Sequence, residues 1–91
     1  MSVTLGQIVI SKAGRDAGKR FVVTRIIDDL YVAISDGDLR KIEKPKKKKI
    51  KHLELTGEVV NILEEKLTKN VRISNSEIRK ILIGAIRIVL I

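Results

Sequence analysis

The first half of the chain contains short runs of apolar and β-branched residues, at positions 5–10, 20–27 and 30–35. Each run has the length of one strand, and turn-forming residues separate it from the next. The acidic pair at positions 28–29 lies between the second and third runs, so these two are expected to form a hairpin.

A second tight turn is predicted at residues 36–38, which read Asp-Gly-Asp. Residues 39–42 and 50–53 are each expected to add a short strand, with a charged loop over residues 43–49 between them. Four or five short strands in the first half of the chain predict a small barrel that is closed or nearly closed, because closure removes exposed strand edges.

The second half of the chain changes to helical spacing. Thr56 is a candidate helix cap, followed by the apolar stripe Val59, Leu63 and Leu67 and a stop near Asn70. A second helix is expected after Ser74, because Ser74 and Glu77 have the spacing of a capping box. Its inward face would comprise Ile78, Ile81 and Leu82.

Gly84 is expected to end or kink this second helix. The sequence does not determine the structure of residues 85–91, which could extend the helix, add a strand or dock on a partner. The predicted organisation is therefore a barrel over residues 1–53 and a helical extension over residues 54–91.

Ninety-one residues suffice for one small domain or for a minimal barrel with an appendage. The chain has one Phe, one Tyr and no Trp, so aliphatic residues must supply the core. It has no cysteine, which excludes disulfides and thiolate metal sites and is compatible with the cytoplasm. No secretory signal is evident, and the apolar run 81–91 contains Arg87 and is too short to span a bilayer.

The positive charge is concentrated in one segment. Residues 40–52 contain eight basic and one acidic side chain and so account for +7 of the formal net charge of +8. Such a run can be a solvated loop or can face an anionic membrane, but an RNA backbone would relieve the repulsion among four consecutive lysines. No lipidation signal or basic amphipathic helix accompanies the run, so nucleic acid is favoured over a membrane.

A second basic segment lies between the first two strands, in a loop that turns at Gly14 and Gly18. Loop amides and positive side chains together suit phosphate groups. The loop is not a nucleotide-binding P-loop, because three residues separate its glycines, Arg20 follows Lys19, and a strand comes next.

The first half of the chain resembles the KOW motif of ribosomal proteins and transcription elongation factors. The matching residues are Gly6, Ile8, Val9, Gly14, Gly18, Lys19, Val22 and Val23. Together with the lysine-rich stretch, they make the chain similar to the KOW-domain RNA-binding proteins related to ribosomal large-subunit protein 14 of the archaeal and eukaryotic type. The resemblance implies a mainly β fold, a small SH3-like barrel of KOW type with a short C-terminal helical extension. It also implies binding to ribosomal RNA, with ribosomal proteins as further partners.

The candidate RNA-binding residues form two groups. The loop group is Lys12, Arg15, Lys19 and Arg20. The lysine-rich group is Arg40, Lys41, Lys44, Lys46, Lys47, Lys48, Lys49, Lys51 and His52. His52 could contact a phosphate or ribose, or be a plain strand residue. Tyr31 and Phe21 could stack on unpaired bases. Burial of Phe21 in the core is favoured, and Tyr31 is expected beside a turn with its hydroxyl in contact with water.

Catalysis finds no support in the sequence, because one histidine without cysteine or a serine elbow leaves no pair of nucleophile and base. No cluster has metal-ligand spacing, and no cofactor is expected. The alternative function is a protein-interaction module that docks on a ribosomal or transcription partner through residues 81–91. The sequence does not indicate which RNA is bound or the oligomeric state.

Overall fold

The computed structural model describes residues 3–89, with side chains through Gly84. Over this range the chain forms five strands, a 3₁₀ turn and two helices. In chain order they are β1 Gln7–Ser11, β2 Arg20–Ile26, β3 Tyr31–Ser35, β4 Lys46–Lys49, the 3₁₀ turn Ile50–His52, β5 Leu53–Val59, α1 Asn61–Thr68 and α2 Asn75–Val89. The expected mainly β fold with a helical C-terminal part is confirmed.

The strands form one antiparallel sheet in the order β4-β3-β2-β1-β5. In a flat sheet its two edge strands, β4 and β5, would lie about 19 Å apart. Only the 3₁₀ turn Ile50–His52 joins them along the chain, and three such residues rise only about 6 Å. The sheet is therefore strongly curled, and its edges approach each other.

The inner face of the curled sheet contains the larger apolar cluster. Its buried members are Val9, Phe21, Val23, Val32, Ile34 and Leu53, with Val3, Ile50 and Leu55 packed against them. Phe21 is fully buried, so its predicted core position is confirmed and base stacking by its ring is excluded.

The outer face of the sheet is covered at one end by the two helices. Val22 of β2 packs with Leu63 of α1, with Ile73 of the connecting segment and with Ile78 of α2. All four side chains are at most 5% exposed. The helical part thus shares a core with the sheet.

The elements after residue 38 differ from the predicted ones. Residues 39–42 are not a strand, and the expected charged loop contains the strand β4 instead. Thr56 lies inside β5, where its hydroxyl donates to the Ile8 carbonyl, and α1 begins at Asn61. Residues 50–52 form a 3₁₀ turn, so the strand interpretation of His52 was wrong.

The start of α2 was predicted correctly. Ser74 Oγ accepts a hydrogen bond from the Glu77 amide at 3.1 Å, which is one half of the capping box. The Glu77 carboxylate pairs with Lys66 of α1 at 2.6 Å. Gly84 does not end the helix, which continues to Val89 and extends into the segment left open; residues 90 and 91 lie outside the described part.

The predicted division at residue 53 stays a prediction. β5 begins at Leu53, the last residue of the predicted barrel, and continues into the predicted extension as far as Val59.

Candidate nucleic-acid interface

The loop between β1 and β2 has the glycine turns that its sequence predicts. Gly14 and Gly18 have φ values of +78° and +85°, which favour glycine. Ser11 and Gly18 fix its base, since the Gly18 amide donates to the Ser11 carbonyl at 2.8 Å. Lys12, Arg15 and Lys19 are exposed on this loop.

One acidic residue anchors the loop to the chain that follows β3. The side chain of Asp16 is 6% exposed, and its Oδ2 accepts hydrogen bonds from Arg40 Nε at 3.2 Å and Nη2 at 3.0 Å. The Arg40 guanidinium is therefore paired with a carboxylate within the protein. Of the predicted site residues, Arg40 has the clearest structural role.

Two further hydrogen bonds connect the loop to the lysine-rich stretch. Lys48 Nζ donates to the Ala13 carbonyl at 2.9 Å, and the Lys12 amide donates to the His52 carbonyl at 2.8 Å. The two basic segments are far apart in sequence, and the curl of the sheet brings them into contact. Lys48 is partly buried in this position.

The four lysines of β4 alternate between the two faces of the sheet. Lys48 and Lys46 lie opposite Val32 and Ile34, on the side of the inner core. Lys49 and Lys47 lie opposite Tyr31 and Ala33, on the outer side, as the two-residue period of a strand requires. Both of these outer lysines are exposed.

The Tyr31 ring lies beneath these two outer lysines. Lys47 Nζ is 4.5 Å and Lys49 Nζ is 5.9 Å from the ring centroid, within the range of cation–π attraction. Tyr31 is partly buried and starts β3 directly after a turn. In that turn Asp28 Oδ1 accepts hydrogen bonds from the amides of Leu30 and Tyr31.

A bulge in β2 adds Arg25 to this outer face, a residue that sequence reasoning missed. Val23 pairs with Ile34, whereas Arg25 pairs with Ala33, so β2 has one extra residue between them. Regular alternation would have placed Arg25 on the inner side with Val23. A charged residue at an inward position of a strand was the available signal for the bulge.

The thirteen predicted site residues therefore have different surroundings. Arg40 pairs with Asp16, and Lys48 donates to the Ala13 carbonyl. Arg20 Nη2 lies 3.8 Å from Glu58 Oε1. His52 is partly buried in the 3₁₀ turn. Within the part of the chain whose side chains are described, nine are exposed and have no carboxylate within ion-pair distance: Lys12, Arg15, Lys19, Lys41, Lys44, Lys46, Lys47, Lys49 and Lys51.

The one carboxyl group of the lysine-rich stretch, Glu43, faces α2. The side-chain amide of Asn75 donates to it at 2.9 Å, and this hydrogen bond is the main reason that the pKa of Glu43 is lowered. Lys41 and Arg72 lower the pKa further through their charge. Glu43 is thus ionised and held by the helix.

Over residues 3–89, no three His, Cys, Asp or Glu side chains are grouped as a metal site would require. Over the same range, neither helix combines the length and the apolar character needed to cross a bilayer.

Known proteins similar to this chain include three archaeal relatives, each named large ribosomal subunit protein eL14. The relative from Desulfurococcus amylolyticus is 34% identical over 61 residues, and those from Staphylothermus marinus and Hyperthermus butylicus are 31% identical over 61 residues. The chain is similar to archaeal eL14. This likeness confirms the resemblance to ribosomal large-subunit protein 14 inferred from the sequence.

The similarity to eL14 covers 67% of this chain. The chain spans 64% of the length of the Desulfurococcus and Staphylothermus eL14 proteins and 62% of the Hyperthermus one. No family model matches the chain.

Proposed function

We propose that this chain is a non-catalytic RNA-binding protein of the large ribosomal subunit in the cytoplasm, with ribosomal RNA as its main partner. Its likeness to eL14 supports the assignment. The observation that carries it is the contact between the two basic segments, in which Lys48 Nζ donates to the Ala13 carbonyl and the Lys12 amide donates to the His52 carbonyl. We define the nine exposed cationic side chains of these two segments as the basic surface: Lys12, Arg15, Lys19, Lys41, Lys44, Lys46, Lys47, Lys49 and Lys51.

The fold that best fits this role is an SH3-like barrel of KOW type. A meander of four strands supports this assignment, as does a fifth strand that follows a 3₁₀ turn and pairs with β1 at the other edge of the curled sheet. So does the glycine-turned loop between β1 and β2, which stands at the position of the KOW loop.

Binding through the basic surface would follow the phosphate backbone. Lysine carries a point charge without the planar fork of arginine, so a lysine-rich surface supplies affinity with little reading of bases. In an A-form helix the base edges of the major groove are hidden, which leaves phosphate spacing and groove shape as the recognised features.

The test is the salt dependence of binding to a structured RNA. If about six phosphates are engaged, the log-log slope of affinity against salt is expected to be roughly −4 to −5. The two double variants Lys12→Gln/Lys19→Gln and Lys47→Gln/Lys49→Gln are each expected to weaken binding and to flatten the slope by about 1 to 2. Fluorescence anisotropy over a salt series measures both quantities.

The double variant Lys69→Gln/Lys80→Gln is the matched control. It also removes two exposed positive charges, but from the helical part of the chain. Its salt slope is expected to equal that of the wild type. Equal effects from all three double variants would show that binding depends on net charge alone and would contradict a defined surface.

A protein-interaction module is the second candidate function. Leu39 and Ile83 are 68% and 60% exposed and line one open groove together with Leu82. This groove uses the first residues of the predicted docking stretch 81–91. An apolar docking module would show little salt dependence, so the same experiment separates the two functions.

A further inference from the structure

The two outer lysines of β4 share one aromatic ring. Lys49 lies directly opposite Tyr31 in the sheet, and Lys47 lies opposite Ala33 on the same face. Their ammonium nitrogens are 5.9 and 4.5 Å from the centroid of the Tyr31 ring. Two positive charges therefore lie within cation–π distance of one ring on the outer face.

No carboxylate neutralises this pair among the residues with described side chains. The two nearby aspartates of the turn do not do so. Asp28 accepts two backbone hydrogen bonds, and Asp29 lines a small cavity with Lys49 and Lys51 without an ion pair. Two like charges held together without a counterion favour an anion between them.

We propose that Tyr31 is a positioning residue that holds Lys47 and Lys49 as a pre-formed site for one phosphate group of an RNA backbone. This rests on the function proposed above and deepens it. A free lysine loses rotamer entropy when it binds a phosphate. A lysine already held over a ring has lost part of that freedom, so the ring supplies position and the lysines supply charge.

The first test compares Tyr31→Leu with Tyr31→Phe, using a fully paired RNA duplex of about 16 base pairs as the probe. Phenylalanine keeps the ring face, so its affinity is expected to stay within about twofold of the wild type. Leucine removes the ring, so the affinity for the duplex is expected to fall. The fall should be at most about 2- to 5-fold per ammonium group, which is the factor by which an exposed cation–π contact favours the held position of a lysine. Because all charges remain, the salt slope of the Leu variant should equal that of the wild type.

The second test places Tyr31→Leu in the Lys47→Gln/Lys49→Gln background. If the ring acts through the two lysines, its removal there should cause no further loss of affinity. An equal loss in both backgrounds would overturn the proposal, as would equal losses for the Phe and Leu variants. Circular dichroism and urea unfolding identify any loss that comes from misfolding, and in that case Tyr31→Ile, which also removes the ring but has high strand propensity, replaces Tyr31→Leu.

Base stacking is the competing role for Tyr31, and the same variants exclude or establish it. A paired duplex offers no free base, whereas a single-stranded oligouridylate does. Tyr31 is the only tyrosine in a chain without tryptophan, so its fluorescence reports on this ring alone. Loss of binding to oligouridylate only, with quenching of that fluorescence, would make Tyr31 a stacking residue and overturn the proposal.

Failure of this inference can be told apart from failure of the proposed function. If Tyr31→Leu binds the duplex like the wild type while Lys47→Gln/Lys49→Gln does not, the positioning role is wrong and RNA binding stands. If the wild type binds neither probe at low salt, both are wrong.

Discussion

Asp16 shows how a single residue gives shape to a basic loop. It is the acidic member of an otherwise cationic segment, and its nearly buried carboxylate holds Arg40 of the chain after β3. Two charge-assisted hydrogen bonds from one guanidinium group to one carboxylate oxygen orient the Arg40 side chain as well as stabilise the contact. The remaining cations of the loop, Lys12, Arg15 and Lys19, are left exposed.

Gly6 and Gly18 allow a matched test of close packing at the residue scale. Both have φ values above +80°, but a Cβ on Gly6 would lie 2.8 Å from the Glu64 amide of α1, whereas a Cβ on Gly18 would meet no atom within 4 Å. Gly18→Ala is expected to cost about 1 kcal/mol from backbone strain. Gly6→Ala is expected to cost about 3 kcal/mol, since overpacking is added. Urea unfolding gives both values, and equal losses would contradict the close approach of α1.

The bulge in β2 between Val23 and Arg25 could not be predicted from the residues of that strand alone. Apolar residues at positions 21 and 23 were correctly expected in the sheet, and Phe21 was correctly expected to be buried. The bulge depends on how β2 pairs with β3, which no single-strand pattern specifies. Its consequence is that Arg25 joins Lys47 on the outer face.

β4 is the element that the sequence did not reveal. Consecutive lysines have low strand propensity and no apolar alternation, so they were predicted to be a loop. They form a strand because β3 offers them four paired positions, and the lysine stems can lie along the sheet surface. Lysine on an edge strand also discourages pairing with another chain.

The N-terminal turn of α2 holds the segment after β3 in place. Asn75 Oδ1 accepts a hydrogen bond from the Ile42 amide at 2.7 Å, and Arg79 donates to the Gly37 carbonyl. Gly37 is required there, because its positive φ and its contact with the Asn75 carbonyl leave no room for a Cβ. The lysine-rich stretch is thus anchored at its start by a helix far along the chain.

The lowered pKa of Glu43 provides a test of this anchor. A carboxyl group whose pKa is lower in the folded state stabilises the fold above its unfolded pKa and loses that contribution as the pH falls through its folded pKa. Asn75→Asp keeps the acceptor for Ile42 but replaces the amide donor with a negative charge, so the pKa of Glu43 should rise. NMR titration of the Glu43 carboxyl carbon measures the change.

Arg72→Gln is the control for this titration. It removes a charge that lowers the pKa of Glu43 less than the Asn75 hydrogen bond does, so its effect should be the smaller of the two. A pKa unchanged by Asn75→Asp would mean that the helix does not hold Glu43.

For the whole molecule, the shared core between helices and sheet predicts cooperative unfolding. Ile78 of α2 is 1% exposed and packs in the cluster that contains Val22 of β2. Ile78→Ala is expected to cost about 2–5 kcal/mol. Tyr31 fluorescence reports on the sheet and far-ultraviolet circular dichroism reports mainly on the helices, and both should shift together in urea.

Ile62→Ala is the matched control, because Ile62 of α1 is 57% exposed and its loss should change stability by less than about 0.5 kcal/mol. Two separate transitions in the wild type would instead support independent units close to the predicted division at residue 53.

Features that depend on neighbouring residues were predictable from the amino-acid sequence: the first three strands, the glycine turns, the Ser74 cap of α2 and the concentration of charge in residues 40–52. Periodicity, turn chemistry and composition are local, so one chain is enough to read them. Three features became evident only in the folded chain: the strand character of β4, the contacts that Arg40 and Lys48 make within the protein, and the placement of Tyr31 beneath two lysines. These features depend on which distant segments come into contact when the sheet curls, and a local sequence pattern does not specify contacts between distant segments.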